Sequence, residues 1–134
     1  MTVHKTAAVS AIVKKGYKVD YNLKAATYDF RLSPSGLRTN GFYRKLKELI
    51  ESLVVKFERR VVLVVHSMGN PILNFFLKNE VNQEWKDRHI KVWTAIAPAF
   101  MGAPKSLKAR GICVTKENSV IKKISHLGSN IWRK

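Results

Sequence analysis

Val61-Val62-Leu63-Val64-Val65-His66-Ser67-Met68-Gly69-Asn70 decides how this chain folds. Five apolar, mostly β-branched residues run into a serine and a glycine. They are followed by Pro71-Ile72-Leu73-Asn74-Phe75-Phe76-Leu77-Lys78, which reads as an apolar helix. A continuous apolar run of this kind suits a strand covered on both faces. Its passage into a helix through Ser67 reads as a nucleophile elbow: the strand ends, the chain turns sharply, and the hydroxyl stands over the start of the helix. The first amides of that helix have no intrahelical partner and are available to a developing oxyanion. The usual elbow is G-x-S-x-G, and Val65-His66-Ser67-Met68-Gly69 lacks its first glycine. Pro71 suits a first helical turn, where a missing N–H costs little. Gly69 lets a neighbouring strand approach the tight turn closely. The competing reading is a serine that merely caps a buried helix.

Outward from the elbow, the chain reads as alternating helices and strands. His4 to Lys15 forms a helix with Ala7, Ala8, Ala11 and Ile12 on one side, stopped by Gly16. Leu23 to Phe30 reads as a strand, and Ser33-Pro34-Ser35-Gly36 as a turn cluster. Asn40 is placed to cap a helix in which Phe42, Leu46, Leu49, Ile50, Leu53 and Phe57 recur at steps of three and four. Lys47 and Glu51 lie four apart on its other side. Beyond the elbow helix, from about Met68 to Glu80, Val81 to Arg88 reads as a polar connection. Ile90 to Ala97 reads as a third strand closed by Pro98. Strands alternating with helices imply a parallel sheet.

The 134 residues bound the chain to one domain or a piece of one, and 46% apolar content is ample for a core. No run of eighteen apolar residues is present, and Met1 to Thr6 lacks the apolar core of a signal peptide. The single Cys113 forms no internal disulfide. The formal net charge is +16, and residues 105–134 carry eight basic groups against one acidic, Glu117. Such a balance draws a protein towards anionic lipid surfaces or nucleic acid. A solvated basic surface is the plain reading, and attraction to an anionic membrane surface the functional one. Nucleic acid ranks last, because the lysines are scattered and no RNA- or DNA-binding motif accompanies them. No cofactor or metal is expected. The seven glycines are dispersed rather than forming a phosphate loop, and neither the histidines nor Cys113 have metal-ligand spacing.

The blocks Lys15-Gly16-Tyr17, Ala25-Ala26-Thr27-Tyr28-Asp29-Phe30-Arg31, Phe42-Tyr43-Arg44-Lys45-Leu46, Val62 to Asn70, Gln83 to Ile90 and Pro98 to Lys105 occur in an order and spacing similar to those of a known family. On these residues the chain resembles the lecithin:cholesterol acyltransferase family, which includes a lysosomal phospholipase A and the phospholipid:diacylglycerol acyltransferases. The resemblance covers roughly Ile12 to Ala109. It implies a partial α/β-hydrolase core, a parallel sheet with helices on both faces, over residues 1–109, followed by a basic divergent tail over 110–134. It gives Ser67 the role of attacking a phospholipid ester and the Met68 N–H that of holding the oxyanion. The upstream loop that supplies a second oxyanion donor in the family has no match here. Members of the family are secreted, lysosomal or ER-membrane associated, and the resemblance does not choose among these.

A serine is a poor nucleophile until a base takes its proton, usually an imidazole held by a carboxylate. His66 adjoins Ser67 and leaves the turn in another direction, so it is expected to pack behind the elbow. Asp87 and His89 precede the third strand and belong at the wrong end of the sheet, since parallel α/β sites form at the carboxyl ends of strands. His4 opens the chain, on the wrong side of the motif. Glu117 and His126 alone satisfy the hydrolase order Ser, acid, His, and are the formal candidates for acid and base. The family's own acid and base lie well downstream of its serine, and from Arg110 the chain ceases to resemble it. Asp29 is expected to work structurally, beside Arg31. The function implied is O-acyl transfer from a glycerophospholipid to a sterol or diacylglycerol through an acyl-serine. A phospholipase A is the outcome if water accepts. A catalytically inactive, truncated core that binds lipid surfaces is the non-enzymatic alternative.

Overall fold

Ser33 and Asn82 each start a helix by accepting an otherwise unpaired backbone N–H; Asn40, expected to cap the helix after it, instead ends the short helix before it, and Gly41 is the N-cap, although Asn40 still accepts one amide of the new helix. Ser33 Oγ takes the Gly36 amide at 3.2 Å, Asn40 Oδ1 that of Phe42 at 3.0 Å, and Asn82 Oδ1 that of Trp85 at 2.9 Å. The structure is a computed structural model, and it describes residues 7–102. In order these form α1 (Ala7–Lys14), α2 (Pro34–Thr39), α3 (Phe42–Phe57), β1 (Val61–His66), α4 (Gly69–Asn79), α5 (Gln83–His89) and β2 (Ile90–Ile96). His4, Cys113, Glu117, His126 and the tail from 110 lie outside the described residues.

Among the described residues the fold class is α/β, with a parallel sheet of two strands. Leu63 pairs with Trp93 and Val65 with Ala95 on one face; Val62 pairs with Val92, Val64 with Thr94 and His66 with Ile96 on the other. The first face meets the core, in which Leu37, Tyr43, Leu46, Ile50, Ile72, Leu73 and Phe76 are buried. Full burial of such side chains contributes roughly 1.5–3 kcal/mol each. Periodicity explains the choice: in α3 the buried positions are Tyr43, Leu46 and Ile50, and in α4 Ile72, Leu73 and Phe76, so each helix lays one stripe on the sheet. Gly16, at φ 93°, ends α1 in the left-handed region as its position implies.

Several sequence expectations are corrected. Leu23 to Phe30 is not a strand; the segment contributes only an isolated bridge between Leu23 and Val19. Its β-branched content is slight, and a strand exists only where a neighbour completes its ladder. The run 61–65 is not covered on both faces. Val62 and Val64 are each 45% exposed, because the core cluster lies on the other side. Helices on both faces are therefore not seen among the described residues. The polar stretch after Val81 is not a plain connection but α5, nucleated by Asn82 and carrying Glu84 in its first turn. The turn cluster at Ser33 opens the short helix α2.

Candidate active site

Ser67 follows the last residue of β1, is separated from α4 by Met68 alone, and has φ 51°. This is the left-handed region that a non-glycine residue enters at a cost of about 1–3 kcal/mol. Three backbone bonds hold it there. The Ser67 N–H donates to Ile96 O at 2.9 Å, and Ser67 O accepts from the Asn70 N–H at 3.1 Å and the Ala99 N–H at 3.4 Å. The end of β2 thus brackets the bend, and Ala97, at φ 42°, is itself turned to make that approach.

The turn is braced from inside by Asn70, which is wholly buried. Its Nδ2 donates to Val65 O at 3.2 Å and Ser67 O at 3.0 Å, while its Oδ1 accepts from Trp93 Nε1 at 3.1 Å. Every polar atom of the side chain is used, as burial requires. Gly69 is needed for space: a Cβ there would lie 2.9 Å from Val65 Cγ1, with Tyr28 Oη 3.8 Å away. The close approach comes from Val65, in the strand that leads into the bend, and not from a neighbouring strand as expected. Partial burial pushes the Tyr28 phenol above its ordinary pKa.

Ser67 does not cap the helix. The N-cap of α4 is Met68, and no side chain makes a capping bond. Among the described residues the Ser67 hydroxyl has no hydrogen-bond partner, and no described bond uses the Met68 N–H. The bend therefore offers an alcohol beside an unused amide at the positive end of a helix, an arrangement able to receive an oxyanion. Its immediate neighbours are apolar and open: Met68, next in the chain, and Ile96, whose carbonyl accepts the Ser67 N–H, are both exposed.

The remaining candidates fall elsewhere. His66 does not pack behind the elbow; it is exposed on the open sheet face, opposite Ile96. His89 stacks on Trp85 with ring centroids 4.6 Å apart, and its Nδ1 meets Trp85 O at 2.8 Å. Asp87 Oδ1 accepts from Gln83 Nε2 at 2.7 Å, so neither residue is aimed at the other. Both stand before β2, at the end of the sheet remote from Ser67. Asp29 forks with Arg31, accepting from Nε at 2.8 Å and Nη2 at 2.7 Å. Those bonds, the Arg31 backbone N–H and the guanidinium charge lower its pKa to about 2. Glu117 and His126 lie outside the described residues. Among the described residues no group of three His, Cys, Asp or Glu is placed to hold a metal. Sequence reasoning missed Asn70 and Trp93. The only signal was an asparagine three residues after the serine, within an otherwise apolar stretch.

The lecithin:cholesterol acyltransferase family profile matches residues 2–129. A lysosomal phospholipase A and acyltransferase of Bos taurus is 36% identical over 101 residues, 75% of this chain and 24% of the relative. A phosphatidylcholine-sterol acyltransferase of Gallus gallus is 34% identical over 100 residues, again 75% and 24%. That of Mus musculus is 32% identical over 120 residues, 89% of this chain and 26% of the relative. The chain spans about a quarter of the length of these relatives. Its matched residues include the strand, bend and helix that carry Ser67, and the chain belongs to the lecithin:cholesterol acyltransferase family.

Proposed function

We propose that this chain carries the nucleophile-bearing core of a lipid acyltransferase, an α/β-hydrolase core fragment over 1–109 with a basic tail over 110–134. Ser67 Oγ attacks the ester carbonyl of a glycerophospholipid, and the tetrahedral oxyanion is held by the Met68 N–H. The serine proton passes to a general base, for which His126 with Glu117 is the formal candidate. The ester C–O bond then breaks, the lysophospholipid oxygen takes that proton, and the acyl group stays on Ser67. An alcohol, a sterol or diacylglycerol, then takes the acyl group; water in its place makes the protein a phospholipase A. No metal or organic cofactor enters these steps. The +16 charge favours work at an anionic membrane surface.

One observation carries this reading: a serine at φ 51° between a parallel strand and a helix, in a chain whose relatives are named for phospholipid and sterol acyl transfer. The experiment supplies liposomes of phosphatidylcholine labelled in one acyl chain, with cholesterol or diacylglycerol as acceptor. Labelled ester or labelled free fatty acid, abolished in Ser67→Ala, is the expected result. A second reading rests on the described imidazoles and carboxylates: Asp87 and His89 are engaged at the far end of the sheet, and no described hydrogen bond joins His66 to Ser67. It is a core that binds lipid surfaces without turnover, and removing a base from such a site typically costs several orders of magnitude in rate. Flotation with liposomes and no labelled product, in the native chain and in Ser67→Ala alike, selects that reading.

A further inference from the structure

The Ser67 carbonyl and the Met68 N–H are the two ends of one peptide group. Among the described residues every peptide bond is trans, so the two point to opposite sides of a single plane. Whatever holds the carbonyl therefore aims the amide. The Ser67 carbonyl accepts three donors: Asn70 Nδ2 at 3.0 Å, the Asn70 N–H at 3.1 Å and the Ala99 N–H at 3.4 Å. The two shorter bonds come from one residue. They draw the carbonyl towards the buried Asn70, and the Met68 N–H, which no described bond uses, faces the other way.

The Asn70 amide has one orientation that satisfies its neighbours. An indole N–H donates and never accepts, so the atom that meets Trp93 Nε1 at 3.1 Å is Oδ1. Nδ2 then faces the carbonyls of Val65 and Ser67, which only accept. Reversed, the amide would set its NH2 against the indole N–H and its oxygen against two carbonyl oxygens. Trp93 thus fixes Asn70, Asn70 fixes the peptide plane after Ser67, and the plane aims the amide. Core stability alone does not call for this chain of bonds. An apolar pair of the same shape in place of the amide and the indole N–H is nearly neutral, because a buried polar group costs free energy until its bonds are made. An apolar pair cannot choose which way a peptide faces.

We propose that Asn70, held by Trp93, is a positioning residue that aims the Met68 N–H at the oxyanion formed when Ser67 attacks. It touches neither the substrate nor a reacting atom. The proposal rests on the acyl-transfer reading of Ser67 and adds to it the residues that preset the oxyanion donor. A preset donor acts on the transition state rather than on binding, so its loss slows the chemical step and leaves affinity unchanged.

The test follows phosphonylation of Ser67 in the full chain over a range of fluorophosphonate concentrations, which separates the maximal rate from half-saturation. The maximal rate should fall about tenfold in Asn70→Ala and about a hundredfold in Asn70→Asp, whose oxygens face two carbonyl oxygens, with half-saturation unchanged. Leu46→Ala, which weakens the buried core elsewhere, should keep the native rate. Circular dichroism checks that each variant folds. Where an Asn70 variant does not, Trp93→Phe, which frees the amide to reverse, carries the test with a fall of about threefold. By NMR, phosphonylation should move the Met68 amide proton downfield in the native chain and less in Trp93→Phe. A native chain that takes no phosphonyl group overturns the acyl-transfer reading and this role with it. A native chain that reacts at Ser67 while the Asn70 variants match its maximal rate, differ only in half-saturation, or slow no more than Leu46→Ala overturns the role of Asn70 alone. So does a Met68 amide proton that moves equally with and without the indole.

Discussion

The indole of Trp93 donates a 3.1 Å hydrogen bond to Oδ1 of the buried Asn70, tying the middle of β2 to the first turn of α4. The same amide donates to the carbonyls of Val65 and Ser67 on the other side of the bend. One side chain thus joins the strand before the serine, the serine itself and the neighbouring strand.

Asn70→Ala should therefore lower unfolding free energy by about 2–4 kcal/mol, since it orphans an indole N–H and withdraws two donors at once. Trp93→Phe, which removes one donor and some packing, should cost less. Urea denaturation of both single variants and the double variant should show a coupling of about 1 kcal/mol. Additive effects would mean the bond is not formed in solution.

Gly69 tests the closeness of the turn. Two effects oppose each other in Gly69→Ala. Alanine is the better helix former by about 1 kcal/mol, while its methyl would meet Val65 Cγ1 at 2.9 Å, an overlap costing about 1–3 kcal/mol. The steric term should win, giving net destabilisation that Val65→Ala partly relieves. A stabilised Gly69→Ala would show that the strand end stands further from the helix.

Tyr43 is buried at the centre of the core, stacked near Phe75 and Phe76, yet among the described residues its hydroxyl has no hydrogen-bond partner. Removing an unsatisfied polar atom is neutral or favourable, so Tyr43→Phe should raise stability by up to about 1 kcal/mol. Burial first, then the Glu80 charge, raises its pKa against the opposing effect of Arg38. A raised native value means the neutral phenol is favoured by folding. Stability should therefore fall as pH rises above about 10. Ultraviolet titration of the native protein and of Tyr43→Phe measures the shift.

For Asp29 the sign is opposite. Its native pKa, about 2, lies below the unfolded carboxylate value. The charged pair contributes above about pH 4 and is lost as pH falls through the native value. The pair is exposed and only two residues apart, so its weight in global stability is small. Carbonyl NMR titration should give a midpoint near 2 that Arg31→Ala returns to about 3.9.

The sequence was legible where periodicity and composition act locally. The apolar run to Val65, the stripe of α3, the elbow helix and β2 follow from residue spacing alone. It was not legible where partners lie far apart. The bond from Trp93 to Asn70 spans 23 positions and Trp85 Nε1 to Glu51 spans 34, and no local pattern marks either. Asn82 could have announced α5, but the polar residues after it outweighed a single cap. A strand at Leu23 was expected from composition, although strand formation depends on a neighbour that the segment lacks.

A nucleophilic Ser67 must have a reactive hydroxyl. Intact-protein and peptide mass spectrometry after treatment with a fluorophosphonate should find a single phosphonyl adduct on Ser67, absent from Ser67→Ala and from the urea-unfolded chain. A folded protein that takes no adduct, or takes it on another residue, contradicts the assignment of this bend as the site of acyl transfer.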